Sequence, residues 1–264
     1  MTSSRSKPGD KSEPVGLIHH HRSHDYAWLI TRWKRAAKPA GLKIQSFAES
    51  SGYKVYWLQS IRPPAKAHKI YISAGIHGDE PASSEALLGW ITNYPEIAQK
   101  FDLTIFPCLN PWGLTHNRRS DEQNYDLNRT YQDPDVPHIR AQLNLLAGRR
   151  FQLALSLHED YDAQGAYLYE IPSQKNHIGE SLIQAMAEHV PIEPRSKIDG
   201  HKARGGVIRR RIRRDTLTSW PEAFALHFFF SERTLTIETP SEFCIDQRVS
   251  AHIAAINAAL RSIN

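Results

Sequence analysis

The stretch that decides the fold is YISAGIHGDEPASS, residues 71–84, where an apolar run stops at His77, Gly78, Asp79 and Glu80. The run KIYISAGI that leads into it is almost continuously apolar, which is typical of a central strand covered on both faces. The segment EALLGWITNY that follows it has the apolar spacing of a helix. We therefore expect a buried strand, a tight polar turn and a helix in succession.

The same alternation of strand and helix continues along the chain. Strand-like segments are LKIQSFAES, YKVYWLQS, KIYISAGI, DLTIFPCLNP, FQLALSLHED, AYLYEIP and TLTIETP, and helix-like segments are HDYAWLITRWKRAA, EALLGWITNY, PHIRAQLNLLAG, HIGESLIQAMAEHV and DQRVSAHIAAINAALRSI. Such alternation predicts an α/β fold with a mixed, mainly parallel central sheet and helices on both faces. No repeat or change of composition divides it, so we expect one catalytic domain over residues 15–264.

Composition narrows the class of protein. The 264 residues include 33 basic and 28 acidic side chains, a net charge of +5, which suits anionic substrates but does not require nucleic acid. No apolar run is long enough to cross a bilayer. Residues 1–14, MTSSRSKPGDKSEP, lack the apolar centre of a secretory signal, so we expect a disordered leader on a cytoplasmic protein. The sequence gives no prediction of oligomeric state.

Three apolar strands end in polar residues, at His77, His158 and Glu238. Open sheets of this kind bind ligands beyond the carboxyl ends of their strands. His77 and Glu80 are three residues apart across a turn that contains Gly78, and imidazole and carboxylate are both zinc donors. His158 supplies a third donor. The alternative is a hydrogen-bonded structural histidine, with Glu80 stabilising the N-terminus of the following helix.

The segment NPWGLTHNRRSDEQNYDLNR, residues 110–129, favours the metal site over the structural alternative, because it adds further polar elements after another buried strand. The elements that recur in a fixed order are His77-x-x-Glu80, Asp126-Leu-Asn128-Arg129, His158 and Glu238-Thr-Pro240. In this combination the chain resembles the zinc carboxypeptidase superfamily, which also contains murein-peptide amidases and the succinylglutamate desuccinylase and aspartoacylase branch. The resemblance runs from about residue 71 to residue 240, and the short interval between Glu80 and His158 favours a compact bacterial-type member.

The resemblance implies a metal site. His77, Glu80 and His158 match the three ligands of one zinc ion per chain. Asp126 matches an acid that orients the first histidine ligand and fixes its tautomer. Two histidines and one glutamate leave a coordination position free for water, as catalytic zinc sites require.

The resemblance also implies residues that act on the substrate. Arg119 matches the arginine that stabilises the oxyanion, although Arg118 beside it leaves the register open. Asn128 and Arg129 match the pair that binds the terminal carboxylate of the substrate, and the planar guanidinium suits carboxylates. Glu238 matches the general base.

The function that the resemblance implies is that of a zinc metallocarboxypeptidase. Such an enzyme hydrolyses the amide bond next to a free C-terminal carboxylate with zinc-activated water and a glutamate base. One alternative is an N-acyl amino acid deacylase of the desuccinylase or aspartoacylase type, which uses the same zinc and base on an acyl amino acid. Another is a binding module without catalysis, which Glu238 argues against. The lack of a C-terminal β domain after Glu238 favours peptides.

The chain departs from the peptidase pattern before Glu238. The stretch RRRIRRDTLTSWPEAFALHFFFSERTLTI contains no tyrosine, whereas peptidases of the family carry a tyrosine on a mobile loop there. Tyr167 and Tyr169 are candidates to replace it, although an alternating strand also explains them. The run of residues 204–215 holds six arginines, which predicts either a solvated face or a rim that attracts acidic peptides. The glycine pair at 205–206 suggests a flexible lid.

Overall fold

The computed structural model of the protein describes residues 22–132, 134–172, 176–216 and 219–263. The leader predicted at residues 1–14 lies outside these ranges. The ten strands found there are β1 (Leu42–Ser50), β2 (Tyr53–Ser60), β3 (Lys69–Ser73), β4 (Asp102–Phe106), β5 (Leu153–Asp160), β6 (Tyr167–Ile171), β7 (Lys197–Ile198), β8 (His201–Arg204), β9 (Val207–Arg209) and β10 (Thr234–Pro240).

Eight α-helices lie in the same described residues. They are α1 (Tyr26–Ala37), α2 (Pro81–Asn93), α3 (Pro95–Ala98), α4 (Pro111–His116), α5 (Pro137–Leu146), α6 (Gly179–Met186), α7 (Glu222–Ala225) and α8 (Ile245–Arg261). Local sequence explains several ends: Asp25 caps α1 by accepting a hydrogen bond from Trp28 N, and Pro111 opens α4 after Asn110. None of the helices in the described ranges has both the length and the apolar character needed to cross a bilayer.

All ten strands form one sheet in the order β1-β2-β4-β3-β5-β10-β6-β9-β8-β7. The centre, β4-β3-β5-β10, is parallel throughout. On the flanks the pairing is antiparallel except between β6 and β9. The predicted α/β fold with a mixed sheet is therefore confirmed. Its predicted mainly parallel character holds for the centre, where the central apolar strands lie, and does not extend to the flanks.

Alternation along β5 separates two cores. Leu153, Leu155 and Leu157 point to one face and pack in the larger core with side chains from α1, α2, α6 and α8. Each such buried leucine contributes about 2 kcal/mol to stability. Ala154 points to the other face, into the core shared with α5 and α7. Ser156 and His158 lie on this second face because they follow Ala154 at intervals of two.

The apolar strand before His77 ends earlier than its sequence predicts. Residues 69–76 read as one strand, but β3 stops at Ser73. Gly75 has φ +61°, a backbone conformation that side chains disfavour, and a Cβ atom there would lie 2.6 Å from Ser84 Oγ. The chain therefore leaves the sheet at Gly75, and His77 lies in the loop beyond the strand.

The glycine pair at 205–206 is explained by a tight turn. Gly205 and Gly206 have φ +54° and +75° and join the antiparallel strands β8 and β9, where Arg204 pairs with Val207. Two-residue hairpin turns with positive φ at both positions favour glycine. Hairpin geometry therefore accounts for both glycines, and the suggestion that this segment acts as a lid stays a prediction.

His138 in α5 makes stability depend on pH. Burial lowers its pKa to about 4, although a hydrogen bond to the Leu109 backbone acts in the opposite direction. In the unfolded chain the His138 imidazole takes up a proton near pH 6.5, whereas in the folded chain it does so only near pH 4. Between these values the unfolded chain binds more protons, so stability falls as the pH falls. We expect His138 alone to account for a loss of about 3 kcal/mol of unfolding free energy over this window. Urea titrations of wild type and His138→Gln at pH 7 and pH 4 would measure it: the gap between the two proteins should change with pH, and a constant gap would contradict the prediction.

Candidate metal centre and catalytic site

The carboxyl ends of the parallel strands bring the polar strand-end residues together. Glu238 on β10 is the register partner of His158 on β5, and neighbouring strands lie about 4.8 Å apart. His77 lies in the loop after β3, which is also paired with β5. Glu80 lies immediately before α2. One edge of the sheet therefore carries residues from three distant parts of the sequence.

The loop that carries His77 packs directly on the start of α4. A Cβ atom on Gly78 would lie 1.9 Å from the carbonyl carbon of Gly113, so only glycine permits this approach of two backbones. Asn110 fixes the partner surface, because its Oδ1 accepts a hydrogen bond from Gly113 N at 2.9 Å. The turn is therefore held by backbone contact, which defines the position of His77.

His77, Glu80 and His158 form a compact buried cluster. Their donor atoms all lie within 4.8 Å of one another. His77 Nδ1 is 2.5 Å from Glu80 Oε1, and His158 Nδ1 is 2.9 Å from Glu80 Oε2. The three residues are only 2–3% exposed. Glu80 makes no capping hydrogen bond to α2, so its carboxylate is directed to the two imidazoles rather than to the helix.

Asp126 and Arg119 border this cluster. His77 Nε2 donates to Asp126 Oδ1 at 3.2 Å, which directs the opposite ring nitrogen to Glu80. Arg119 Nη2 donates to Asp126 Oδ2 at 3.2 Å, and Arg119 Nη1 lies 3.6 Å from Glu80 Oε1. Arg118 is exposed. The arginine whose guanidinium reaches the cluster is therefore Arg119.

The charges in the cluster reinforce one another. Burial acts to raise the pKa of Glu80, but the charges of His77 and His158 hold it well below its usual range. Burial acts to lower the pKa of His77, but the charges and hydrogen bonds of Glu80 and Asp126 raise it to about 9. The pKa of His158 is raised in the same way by Glu80. The site thus favours positive charge around the Glu80 carboxylate.

This donor set suits a divalent metal such as zinc. Two imidazole nitrogens and one carboxylate oxygen match the ligands of catalytic zinc sites. All three are buried, and Asp126 supplies the hydrogen bond that usually fixes a ligand histidine. A metal ion bound at the Nδ1 atoms would replace the protons that the cluster otherwise attracts.

Glu238 faces the same edge and is half-buried. Burial raises its pKa to about 8; the charges of Glu80 and Asp160 act in the same direction, and those of His158 and Arg119 oppose them. A carboxylate with a pKa near neutrality can both take up and release a proton, which general acid–base catalysis needs.

Asn128 and Arg129 lie in a 3-10 turn, Leu127–Arg129, that follows Asp126. Asp126 Oδ1 accepts a hydrogen bond from Asn128 N at 3.0 Å, so one carboxylate contacts both His77 and this turn. Asn128 is buried, whereas Arg129 is exposed and donates from Nη1 to Asn128 O at 2.8 Å. The turn therefore lies directly beside the cluster.

The tyrosines and arginines near Glu238 have structural partners. Tyr167 and Tyr169 lie on β6, and their hydroxyls donate to Asp160 at 2.8 Å and to Asp199 at 2.7 Å. Among the arginines of residues 204–215, Arg209 pairs with Glu170 and Glu180, Arg210 lies over Phe224, and Arg214 lies over Trp220 and Phe229. The run is therefore partly bound to its own domain and is only in part a solvated face.

Two buried glutamates near the site are not indicated by the sequence motifs. Glu159 follows His158 on β5. It accepts a hydrogen bond from Ala82 N in α2 at 2.6 Å and pairs with Arg248 in α8, and these two contacts join β5 to both helices. Glu222 accepts hydrogen bonds from side chains of β3, β5 and α5. The sequence signal for both was weak, since a glutamate next to a strand or helix is usually a solvated surface residue.

Comparison with known proteins agrees with this arrangement. A family model described as the succinylglutamate desuccinylase/aspartoacylase catalytic domain matches residues 66–186. The solved structure of a candidate metallopeptidase from Shewanella amazonensis has a TM-score of 0.81 at 25% identity, over 91% of this chain and 94% of that one. A metallo-carboxypeptidase from Pseudomonas aeruginosa, solved with (2-guanidinoethylmercapto)succinic acid, shares the fold at 17% identity, with a TM-score of 0.64 over 90% of this chain and 68% of that one.

A relative known by sequence is carboxypeptidase SOL1 from Arabidopsis thaliana. It is 33% identical over an alignment 103 residues long, and the match covers 31% of this chain and 21% of that protein. The match thus spans about a fifth of the length of this relative. Taken with the fold and the clustered motif residues, these similarities confirm that the chain resembles the zinc carboxypeptidases and the desuccinylase and aspartoacylase branch, and that it has a metallocarboxypeptidase-like fold.

Proposed function

We propose that this protein is a zinc-dependent metallocarboxypeptidase, which hydrolyses the amide bond next to a free C-terminal carboxylate. The observation that carries the proposal is the convergence of His77, Glu80 and His158 within 4.8 Å, at the strand edge that also bears Glu238. We further propose that residues 15–264 act as one catalytic domain.

In this proposal His77, Glu80 and His158 would hold the metal. Zinc, when bound, lowers the pKa of a coordinated water to about 7 and polarises the substrate carbonyl. Asp126 keeps the His77 ring in the tautomer that presents Nδ1 to the metal, because it accepts the Nε2 proton.

Glu238 and Arg119 carry out the remaining chemistry. The Glu238 carboxylate takes a proton from the attacking water and delivers it to the leaving amine. Burial raises the pKa of Glu238, and a divalent cation beside it would lower that pKa toward the ionised form that a base needs. The guanidinium of Arg119 faces the negative charge that develops on the carbonyl oxygen. Losing one such donor commonly raises the barrier by about 3 kcal/mol.

Asn128 and Arg129 bind the terminal carboxylate of the substrate. Both lie in the turn after Asp126, and Arg129 is exposed to an incoming ligand. A carboxylate accepts hydrogen bonds from an amide NH2 group and from the forked guanidinium at the same time. The P. aeruginosa neighbour, which was solved with a succinic acid derivative, supports a ligand that bears carboxylates.

A second candidate function is that of an N-acyl amino acid deacylase. The match of residues 66–186 to the desuccinylase and aspartoacylase model favours it. The metal ligands and the base are the same for both reactions. The two candidates differ in what lies on the acyl side of the scissile bond: a peptide in one case, a small acid such as a succinyl group in the other.

Blocked dipeptides and acyl amino acids would test the two functions. We expect zinc-loaded protein to hydrolyse an N-blocked dipeptide with a free C-terminus and to lose at least about 100-fold in kcat/KM on its C-terminal amide, because Asn128 and Arg129 then lose their charged partner. The control is the matching N-succinyl amino acid. Faster turnover of the succinyl compound would favour the deacylase, and equal rates on acid and amide would remove Asn128 and Arg129 from carboxylate binding.

A further inference from the structure

A buried hydrogen-bond network centred on Glu222 lies beneath the candidate site. Glu222 is 1% exposed and begins α7. Its Oε1 accepts from Tyr71 Oη at 2.5 Å, from Gln142 Nε2 at 2.9 Å and from Tyr131 Oη at 3.4 Å. Its Oε2 accepts from Ser73 Oγ at 2.5 Å and from Ser156 Oγ at 2.7 Å. Within the described part of the chain, no cationic side chain pairs with this carboxylate.

The network joins Glu222 to the parts of the fold that carry the metal centre. Ser156 lies two residues before His158 on the same face of β5, and Ser73 is the last residue of β3. Burial and then the charge of Glu222 raise the pKa of Tyr71 and Tyr131 well above the usual value, so both hydroxyls remain donors. Four neutral donors therefore hold the carboxylate in one place, and the start of α7 with it; the hydroxyl of Tyr131 has a nearer acceptor in Gln142 Oε1, at 2.7 Å.

The backbone of Glu222 in turn holds Asn128. Glu222 N donates to Asn128 Oδ1 at 2.9 Å, and Tyr131 N donates to Trp220 O at 3.1 Å, so the two segments are joined at two points. A backbone N–H can pair only with the oxygen of a side-chain amide, which fixes the orientation of the Asn128 amide. Asn128 Nδ2 has no partner among the residues that the structure describes, and it remains available as a donor.

We propose that Glu222 is a positioning residue that holds the Asn128 amide with its NH2 group toward the substrate. The subsite formed by Asn128 and Arg129 then offers donors only, so it accepts a carboxylate and discriminates against an amide, whose NH2 group would meet further donors. This inference rests on the proposed function, because it assigns the origin of selectivity at the same site. The inference adds Glu222 to the residues that determine selectivity. The Glu222 carboxylate does so by its hydrogen bonds to Ser73 and Ser156 on the sheet, which hold the start of α7, and not by contact with the substrate.

The length of the side chain at position 222 provides the test. Glu222→Gln keeps the reach, and the hydroxyls of Ser73 and Ser156 can turn to accept from its NH2 group. Glu222→Asp keeps the charge but falls one methylene short of the sheet and pulls the backbone N–H away from Asn128. We expect the ratio of kcat/KM for the acid over the amide substrate to stay within about threefold of wild type in Glu222→Gln. In Glu222→Asp it should fall about tenfold or more through a higher KM for the acid.

A role in binding a cationic substrate group would give the opposite order, with Glu222→Asp retaining more activity than Glu222→Gln, and that result would overturn the proposal. Unchanged selectivity in Glu222→Asp would also overturn it. Glu188→Asp, at an exposed glutamate, is the matched control. If Glu222→Asp does not fold, Ser156→Ala removes one Oε2 donor and should give a smaller loss in the same direction.

A second readout does not depend on turnover. The side-chain amide signal of Asn128 in a ¹⁵N–¹H NMR spectrum, assigned by its loss in Asn128→Asp, should keep its position in Glu222→Gln and move or broaden in Glu222→Asp. An unmoved signal in Glu222→Asp would contradict the positioning role. If wild type does not prefer the acid to the amide but the signal behaves as expected, the proposed function fails while Glu222 still positions Asn128.

Discussion

If the proposed zinc mechanism holds, replacing Glu238 with glutamine should lower kcat by about 1,000-fold without lowering the amount of zinc that the protein binds. Glutamine has nearly the shape of glutamate but cannot take up a proton from water or deliver one to the leaving amine. Glu238 lies beside His158 in the sheet, and within the described residues its side chain makes no hydrogen bond to His77, Glu80 or His158, so the loss should fall on turnover. Steady-state kinetics with bound zinc measured by mass spectrometry would separate the two effects.

Glu242→Gln is the matched control for this experiment, because Glu242 is an exposed glutamate just after β10. It should show wild-type kinetics. If Glu238→Gln instead turned over substrate at the wild-type rate, Glu238 would not be the base. A loss of zinc together with activity would indicate that Glu238 stabilises the metal site.

Removing the metal, or one of its ligands, is expected to abolish activity and also to lower stability. A ligand that binds only the folded state stabilises it by about 2.7 kcal/mol at 100 times its dissociation constant. For a chain of this size that raises Tm by roughly 5–10 °C. We expect zinc to produce such a rise in chelator-treated wild type, because two imidazoles and the Glu80 carboxylate converge in a buried site. His158→Ala should not respond.

His116→Ala serves as the control for ligand loss, since His116 is an exposed histidine in α4. It should retain both the zinc-dependent Tm rise and the activity that zinc restores after chelation. A Tm that does not depend on zinc in wild type would contradict metal binding at this cluster. A zinc response that persists in His158→Ala would move the site elsewhere in the chain.

Much of the fold could be predicted from local patterns. The alternation in residues 42–60 and the continuous apolar runs before His77 and in LALSL predict strands that the structure contains, because burial on one or two faces leaves a direct trace in the sequence. The end of β3 could not be placed this way. Ala74 and Ile76 are apolar because they are buried in a loop, and the close approach of Ser84 and Cys108 to Gly75, which marks where the chain leaves the sheet, joins residues that are distant in the sequence.

The candidate site also contains residues that the sequence could identify and residues that only the structure could identify. His77, Glu80 and His158 are candidate ligands in the sequence because open sheets bind ligands beyond their strand ends, because imidazole and carboxylate are zinc donors, and because the order of the three residues resembles a known family. Arg119 could not be distinguished from Arg118 by sequence, because both are arginines on the same loop and only their contacts differ. The structure places the guanidinium of Arg119 near Asp126 and Glu80.

The sequence by itself determined the α/β fold, the residue types of the candidate metal site and the family resemblance, because burial and coordination chemistry each require particular side chains at particular spacings. Only the tertiary structure decided that the glycines at 205–206 form a hairpin turn and that Glu222 holds Asn128. Those features depend on backbone torsion angles and on hydrogen bonds between residues as much as 151 positions apart, such as Tyr71 and Glu222. Local patterns carry no record of such distant partners.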